Sequence, residues 1–169
     1  MKKKSVVFVG TVVLIIVFLS VYWDNLGIRE IPLQKLQQKY ENSESGYIII
    51  NDLPVHYRDE GQGPVVIALH GIVDSLHTWD DWASNMTRDH RIIRMDIPGF
   101  GLTGPIKKGT YSREMYVDFL DQFLTKLNIE SCAIVGNSLG GAIAWNYALD
   151  YPEKVTQLIL LDPAGYPID

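Results

Sequence analysis

From residue 46 onward, the chain alternates short apolar runs with stretches of helical spacing. The runs "GYIIIND" and "LPVHYRDEG" predict two strands joined at Asn51-Asp52 as a hairpin. Four further runs, "PVVIALHG", "RIIRMDIPGFG", "CAIVG" and "VTQLILLD", are nearly continuous and typical of strands buried on both faces. The pattern predicts an α/β fold: a mostly parallel sheet of six strands that opens with an antiparallel hairpin.

Between these runs, the apolar spacing is that of helices. "HTWDDWASNM" and "LGGAIAWNYAL" predict short helices, and the second is expected to stop before Pro152. A longer helix has one apolar face at positions i, i+3, i+4, i+7, i+8 and i+11. That face consists of Tyr116, Phe119, Leu120, Phe123, Leu124 and Leu127. Thr110 or Ser112 is expected to cap its start.

The N-terminal segment has a different pattern. Lysines at positions 2–4 precede Ser5 to Trp23, a run of 19 residues without a charge. A helix of that length spans nearly 30 Å, about the thickness of a hydrocarbon core. The run lacks an A-x-A-like cleavage site and ends in Tyr22 and Trp23, which suit a membrane interface. The pattern predicts an uncleaved transmembrane helix, with a cleaved signal peptide and a buried core helix as the alternatives.

This interpretation divides the chain into three parts. Residues 1–23 are the predicted membrane anchor, residues 24–45 a polar linker with a short helix from Pro32 to Tyr40, and residues 46–169 the folded domain. Because lysines beside a span stay on the cytoplasmic side, the N-terminus is expected in the cytoplasm and the domain on the extracytoplasmic side. A cleaved signal would instead give a secreted protein.

Composition narrows the class of protein. The chain has 169 residues, of which 47% are hydrophobic and 21% charged, values typical of a globular domain. Its net charge is -5 and no basic patch lies outside the N-terminus, which argues against a nucleic-acid partner. A single cysteine, Cys132, excludes an internal disulfide.

The candidate chemistry lies in Gly136-Asn137-Ser138-Leu139-Gly140, between a predicted strand and a predicted helix. In that context the G-x-S-x-G pattern predicts a sharp turn, a nucleophile elbow, that exposes Ser138. Gly136 and Gly140 allow strand and helix to approach closely. Since the helix N-terminus favours negative charge, the Leu139 N–H is a predicted oxyanion donor. The alternative is a glycine-rich turn with an incidental serine.

These motifs together resemble the α/β-hydrolase fold family, in its serine, esterase- and lipase-like branch. The resemblance covers about residues 46–169 through "HGIVDSLHTW", "DIPGFGLTG", "GNSLGG" and "LILLDPAG". It implies that the chain is the N-terminal part of such an enzyme, that Ile72 supplies the second oxyanion N–H, and that His70 and Gly71 are structural. Dehalogenases and epoxide hydrolases differ, because they place an aspartate where Ser138 stands.

The resemblance leaves the base unassigned. The family order is serine, acid, histidine, whereas all four histidines here precede Ser138. His70 is a substitute base only in a minor alternative. Asp162, after the sixth strand, is a candidate acid; the alternative is an end-of-strand carboxylate bonded to loop N–H groups. The simplest interpretation is a fold truncated after the sixth strand, whose acid and histidine lie beyond residue 169 of a longer parent.

The predicted function is that of a serine hydrolase acting on a small-molecule, ester-like or acyl substrate through an acyl-enzyme on Ser138. No metal or organic cofactor is implied, and acyl transfer to an alcohol would use the same intermediate. Trp79, Phe100 and Leu139 are expected to line an apolar acyl pocket, with core packing as the alternative for Trp79. The competing hypothesis is a catalytically inactive fragment or a non-catalytic binding protein on a hydrolase fold.

Overall fold

The computed structural model describes residues 2–22 and 30–165. Six described strands form one sheet. They are β1 (Ser45–Ile50), β2 (Leu53–Glu60), β3 (Val65–Leu69), β4 (Arg91–Met95), β5 (Cys132–Asn137) and β6 (Val155–Leu161). The helices are α1 (Lys2–Tyr22), α2 (Leu33–Tyr40), α3 (Asp80–Met86), α4 (Arg113–Lys126) and α5 (Leu139–Asp150), with 3₁₀ turns at Leu76–Trp79 and Pro152–Lys154.

The sheet has the order β1-β2-β4-β3-β5-β6. β2 pairs antiparallel with both β1 and β4. The other neighbouring strands are parallel. Asn51 and Asp52 form the hairpin turn with φ values of 48° and 61°, as a tight turn with two left-handed residues requires. The predicted α/β fold with an antiparallel N-terminal hairpin is therefore confirmed.

Both faces of β3 are buried, which explains its continuous apolar run. Val66 and Ala68 pack on one face with Trp79. Ile67 and Leu69 point to the other face and pack in the core that includes α4 and α5. Alternate residues of a strand face opposite sides, so this short strand anchors two apolar layers. Its last residue, Leu69, leads directly into the loop beside the candidate site.

The amphipathic helix is confirmed as α4, and its cap is Ser112 rather than Thr110. The Ser112 side chain accepts a hydrogen bond of 3.2 Å from the Met115 N–H. Phe119, Leu120, Phe123 and Leu124 are buried and form the predicted face, while Tyr116 and Leu127 are partly buried at its margin.

The predicted transmembrane anchor over residues 1–23 is wrong. A helix does cover Lys2–Tyr22, but no helix among the described residues is sufficiently long and apolar to cross a membrane. Lysines occupy the first three of its 21 residues, and the 18 positions that remain lie at the short end of the range of about 17–25 apolar residues for a span. The predicted single-pass topology, with its cytoplasmic N-terminus and extracytoplasmic domain, is withdrawn with the anchor.

The polar segment that follows contains α2, so the short helix predicted from Pro32 to Tyr40 is confirmed. Residues 23–29, which include Trp23 and the first part of the predicted linker, lie outside the described residues. The chain divides into two units, Met1–Lys39 and Tyr40–Asp169. The proposed start of the folded domain at residue 46 stays a prediction.

Candidate active site

Ser138 occupies a sharp turn between β5 and α5. Its backbone has φ 49° and ψ −112°, a conformation that a residue with a side chain rarely adopts. The turn is fixed from both sides, because the Ser138 N–H donates to the Leu161 carbonyl at 3.1 Å and its own carbonyl accepts from Ala142 and Ala164, each at 2.9 Å. Ser138 is half-buried. The arrangement holds its side chain at the N-terminus of α5.

Two glycines make this turn sterically feasible. A Cβ atom on Gly136 would overlap the Gly140 carbonyl, and one on Gly140 would overlap the Leu69 carbonyl. In both cases the obstacle is backbone and cannot rotate away. The glycines of the sequence pattern therefore bring β5, α5 and the end of β3 into contact.

The loop after β3 lies directly against the turn. The His70 carbonyl accepts from the Gly140 N–H at 3.0 Å. A Cβ atom on Gly71 would come within 3.3 Å of the Ser138 Cβ. Ile72, the next residue, is 61% exposed. Among the hydrogen bonds between described residues, none uses the backbone N–H of Ile72 or of Leu139.

His70 is fully buried and both of its ring nitrogens are engaged. Nδ1 lies 2.7 Å from the Gly71 carbonyl, which can only accept, so Nδ1 carries the hydrogen. Nε2 accepts from the Ile97 N–H at 3.0 Å. Burial, the largest influence, lowers the pKa of His70, against the opposing effect of its bond to Gly71. This neutral ring has no nitrogen left for the Ser138 proton.

Asp162 follows β6 and has a φ of 44°. It is exposed, and its neighbour Leu161 contacts the serine turn through the Ser138 N–H. No hydrogen bond between described residues uses the Asp162 carboxylate. Its role as the acid stays a prediction.

The sequence reasoning missed a buried polar network two strands away. The His56 Nδ1 lies 2.8 Å from Asp96 Oδ2, and the His56 Nε2 lies 3.0 Å from the Ser45 hydroxyl. The Asp96 carboxylate also accepts from the N–H groups of Leu76 and Leu102, each at 2.8 Å. Burial, the largest influence, opposes ionisation of Asp96, yet these bonds together lower the pKa of Asp96.

Strand pairing carries the signal that could have revealed this network. In the hairpin, Tyr47 faces His56 and Ser45 faces Arg58, so Ser45 and His56 are diagonal neighbours on one face. The His56 carbonyl also accepts from the Asp96 N–H at 2.9 Å. If the register of the hairpin had been predicted, together with the pairing of β2 and the strand before "DIPGFG", Ser45, His56 and Asp96 would have been recognised as neighbours.

An apolar cleft of about 430 Å³ borders the serine turn. Leu139 lines it together with Tyr111, Tyr116 and Trp145. Trp79 is 2% exposed and belongs to the core, and it does not line this cleft. Phe100 packs edge-on against His70, with ring centroids 5.9 Å apart. Of the three residues expected to line an acyl pocket, only Leu139 borders this cleft.

Comparison with known proteins agrees with this architecture. The family model described as alpha/beta hydrolase fold matches residues 64–169, more than half of the chain. The chain belongs to the alpha/beta hydrolase fold family. The prediction of family membership from the sequence motifs is confirmed.

Several relatives of this α/β-hydrolase chain are hydrolases. The 2-hydroxy-6-oxo-6-phenylhexa-2,4-dienoate hydrolase of Comamonas testosteroni is 32% identical over 120 residues, which cover 69% of this chain and 42% of that protein. The 2-hydroxymuconate semialdehyde hydrolase of Pseudomonas sp. (strain CF600) is 32% identical over 126 residues, covering 72% and 44%. These names support a hydrolase on the α/β fold.

A solved structure gives the same result. The meta-cleavage product hydrolase from Pseudomonas fluorescens IP01, in a serine-to-alanine variant complexed with acetates, is 33% identical with a TM-score of 0.69. The match covers 76% of this chain and 48% of that chain. The present chain thus spans a little less than half the length of these relatives.

Proposed function

We propose that this chain carries the nucleophile and the oxyanion donors of a serine hydrolase that acts on ester-like carbonyl bonds of small molecules. The observation that carries the proposal is the backbone of Ser138, held at φ 49° and ψ −112° at the start of α5. A strained conformation that the surrounding hydrogen bonds enforce is characteristic of functional sites. An incidental serine in a glycine-rich turn would not need it.

In this proposal, the Ser138 oxygen attacks the substrate carbonyl, the bond to the alcohol breaks, the alcohol leaves with a proton, and an acyl-enzyme remains. The N–H groups of Ile72 and Leu139 stabilise the oxyanion, and the dipole of α5 adds to their effect. His70 and Gly71 hold the loop of Ile72 against the turn, as the hydrogen bond from Gly140 to the His70 carbonyl supports. Water then releases the acyl group. Transfer to an alcohol would proceed through the same intermediate.

The proton acceptor is proposed to lie beyond residue 169 of a longer parent protein. All four histidines are among the described residues, and no hydrogen bond between described residues joins one of them to the Ser138 hydroxyl. Asp162 is the candidate acid within the chain. By itself the present chain would then be an inactive part of the enzyme.

The named relatives favour a second candidate substrate. Two of them are hydrolases of 2-hydroxy-6-oxo-6-phenylhexa-2,4-dienoate and of 2-hydroxymuconate semialdehyde. These names specify a ketone or aldehyde carbonyl rather than an ester. Attack of Ser138 on such a carbonyl needs the same oxyanion donors. Hydrolysis there would break the adjacent carbon–carbon bond and add a proton to the departing carbon. A non-catalytic binding protein is the remaining alternative, and it is favoured because no hydrogen bond between described residues uses the Ser138 hydroxyl.

A fluorophosphonate probe tests the proposal, because it labels activated serines. In a parent protein of the relatives' length, peptide mapping should find the probe on Ser138, and the Ser138→Ala variant should lose that adduct. Cleavage of p-nitrophenyl esters and of 2-hydroxy-6-oxo-6-phenylhexa-2,4-dienoate should then be compared in the same preparation. Absence of label on Ser138 in a folded, full-length protein would contradict the proposal and favour the binding-protein alternative.

A further inference from the structure

A second serine in this chain has the partners that Ser138 lacks. The Ser45 hydroxyl lies 3.0 Å from His56 Nε2, and His56 Nδ1 lies 2.8 Å from Asp96 Oδ2. Both distances fall within the range of about 2.6–3.2 Å that links a nucleophile to its base and the base to its orienting acid. The order of groups is serine, histidine, aspartate. None of these three residues belongs to the site proposed around Ser138.

The hydrogen bonds fix the direction of proton transfer. The Asp96 carboxylate is ionised, since the hydrogen bonds it accepts hold its pKa low, and an ionised carboxylate can only accept. His56 Nδ1, which faces Asp96, therefore carries a hydrogen. In the tautomer with no hydrogen on Nε2, that nitrogen has a free lone pair and the Ser45 hydroxyl donates to it. His56 and Asp96 are both fully buried, so this orientation is rigid.

The Ser45 oxygen is also accessible and electronically favoured. Ser45 is half-buried at the start of β1, whereas His56 behind it has no exposed surface. The backbone N–H of Asn42 donates to the Ser45 oxygen at 3.2 Å and would stabilise negative charge as the proton leaves. The Asn42 side-chain oxygen, the competing acceptor for the hydroxyl hydrogen, is farther away at 3.4 Å.

We propose that Ser45 is a second nucleophilic serine that accepts an acyl or phosphonyl group from an activated ester or a fluorophosphonate. The Ser45 oxygen bonds to the carbonyl carbon or the phosphorus, and the bond to the phenolate or fluoride leaving group breaks. The hydroxyl proton passes to His56 Nε2 and from there to solvent or the leaving group. The expected product is one equivalent of adduct per chain.

The first experiment compares two serines of one turn. The chain is incubated with a fluorophosphonate probe and, separately, with p-nitrophenyl acetate, and adducts are mapped by peptide mass spectrometry over time. Ser43 is the matched control, because it is exposed and its hydroxyl bonds only to Glu44 among the described residues. Ser45 should be modified about 10²-fold faster than Ser43, at the lower end of a general-base contribution. Equal rates would refute the proposal.

Two variants test whether labelling of Ser45 depends on His56 and is independent of Ser138. Ser138→Ala should leave the Ser45 adduct unchanged, so failure of the Ser138 proposal does not affect this result. Loss of the Ser45 adduct in Ser138→Ala would show that the label depends on the elbow and would overturn the inference. His56→Gln should slow labelling of Ser45 at least tenfold while the circular dichroism spectrum stays native. In a native-like His56→Gln variant, unchanged labelling would likewise contradict a role for His56 as base.

Discussion

Ser138 and Ser45 divide between them the features that a nucleophilic serine needs. Ser138 has a strained backbone and a helix N-terminus beside it, yet no hydrogen bond between described residues uses its hydroxyl. Ser45 has ordinary strand backbone, and its hydroxyl is bonded to a histidine that an aspartate orients. Ser138 therefore has the helix N-terminus beside it but no histidine among its described hydrogen-bond partners, whereas Ser45 has a histidine.

The difference shows how each feature is encoded. The backbone at Ser138 depends on glycines within five residues of sequence, because Cβ atoms on Gly136 and Gly140 would collide with backbone carbonyls. The base at Ser45 depends on contacts across 11 and 40 residues of sequence. A short motif can therefore specify the geometry of an elbow, whereas a proton relay requires the correct pairing of distant strands.

The largest expected effect is the loss of catalytic turnover when Ser138 is replaced. In a full-length parent, Ser138→Ala should lower kcat for ester hydrolysis by about 10⁶-fold, as for other triad nucleophiles. In the 169-residue chain, the same substitution should not change turnover of p-nitrophenyl esters, because no described histidine bonds to Ser138. Steady-state rates of each protein and its own alanine variant check both statements.

The control is the initial burst of p-nitrophenol that precedes steady-state hydrolysis in the present chain. Up to one equivalent of p-nitrophenol should be released by the present chain through Ser45, and this phase should vanish in Ser45→Ala only. Sustained turnover that depends on Ser138 would contradict the first prediction, since it requires a base within these residues. His70 would then be the histidine to substitute.

The next largest effect concerns the buried pair behind Ser45. His56→Ala should lower the free energy of unfolding by about 3–5 kcal/mol, because the buried Asp96 carboxylate loses a hydrogen-bond partner and the missing imidazole leaves a cavity. His77→Ala is the matched control: His77 also bonds to an aspartate, Asp80, but both side chains are partly exposed. Its cost should stay below about 1 kcal/mol. Urea denaturation measures both, and equal losses would mean that burial of the pair is unimportant.

A somewhat smaller effect is expected at the elbow. Gly140→Ala should destabilise the fold by about 3 kcal/mol, the upper end for an overpacked core, because the new Cβ overlaps the Leu69 carbonyl. Gly104→Ala places a Cβ in open space at φ 66° and should cost only about 1 kcal/mol of backbone strain. Thermal or urea unfolding of the two variants checks the difference. A cost at Gly104 as large as at Gly140 would point to backbone conformation instead of collision.

Features that depend on neighbouring residues could be predicted from the sequence, whereas features that depend on contacts between distant strands could not. The six strands, the hairpin at Asn51-Asp52 and a helix cap at Thr110 or Ser112 follow from local patterns. The structure confirms the strands and the hairpin and selects Ser112 as the cap. The membrane anchor failed because absence of charge was weighed above the length of apolar chain that remains after the lysines. The pairing of His56 with Asp96 was missed because each residue looks unremarkable within its own segment.

The smallest expected effect is a change in the free energy of unfolding, which should have opposite signs for substitutions at Ser138 and at Ser45. Ser138→Gly should stabilise the fold by about 1 kcal/mol, since glycine relieves a strain of about 1–3 kcal/mol and loses part of that gain through its greater freedom in the unfolded chain. Ser45→Ala should destabilise it by about 1 kcal/mol, because the buried Nε2 of His56 loses its donor. On the proposed roles, the strained backbone of Ser138 lowers stability, while the hydroxyl of Ser45 contributes to it through a buried network.

Urea midpoints at constant slope measure these two changes in free energy of unfolding. Ser43→Ala provides the baseline, because an exposed hydroxyl bonded to the neighbouring Glu44 should matter by less than about 0.5 kcal/mol. If Ser138→Gly destabilised the chain, the φ of 49° would not be a strained conformation, and the main support for Ser138 as nucleophile would be lost. If Ser45→Ala were neutral, its hydroxyl would not be bonded to His56 in solution, and the second nucleophile would lose its base.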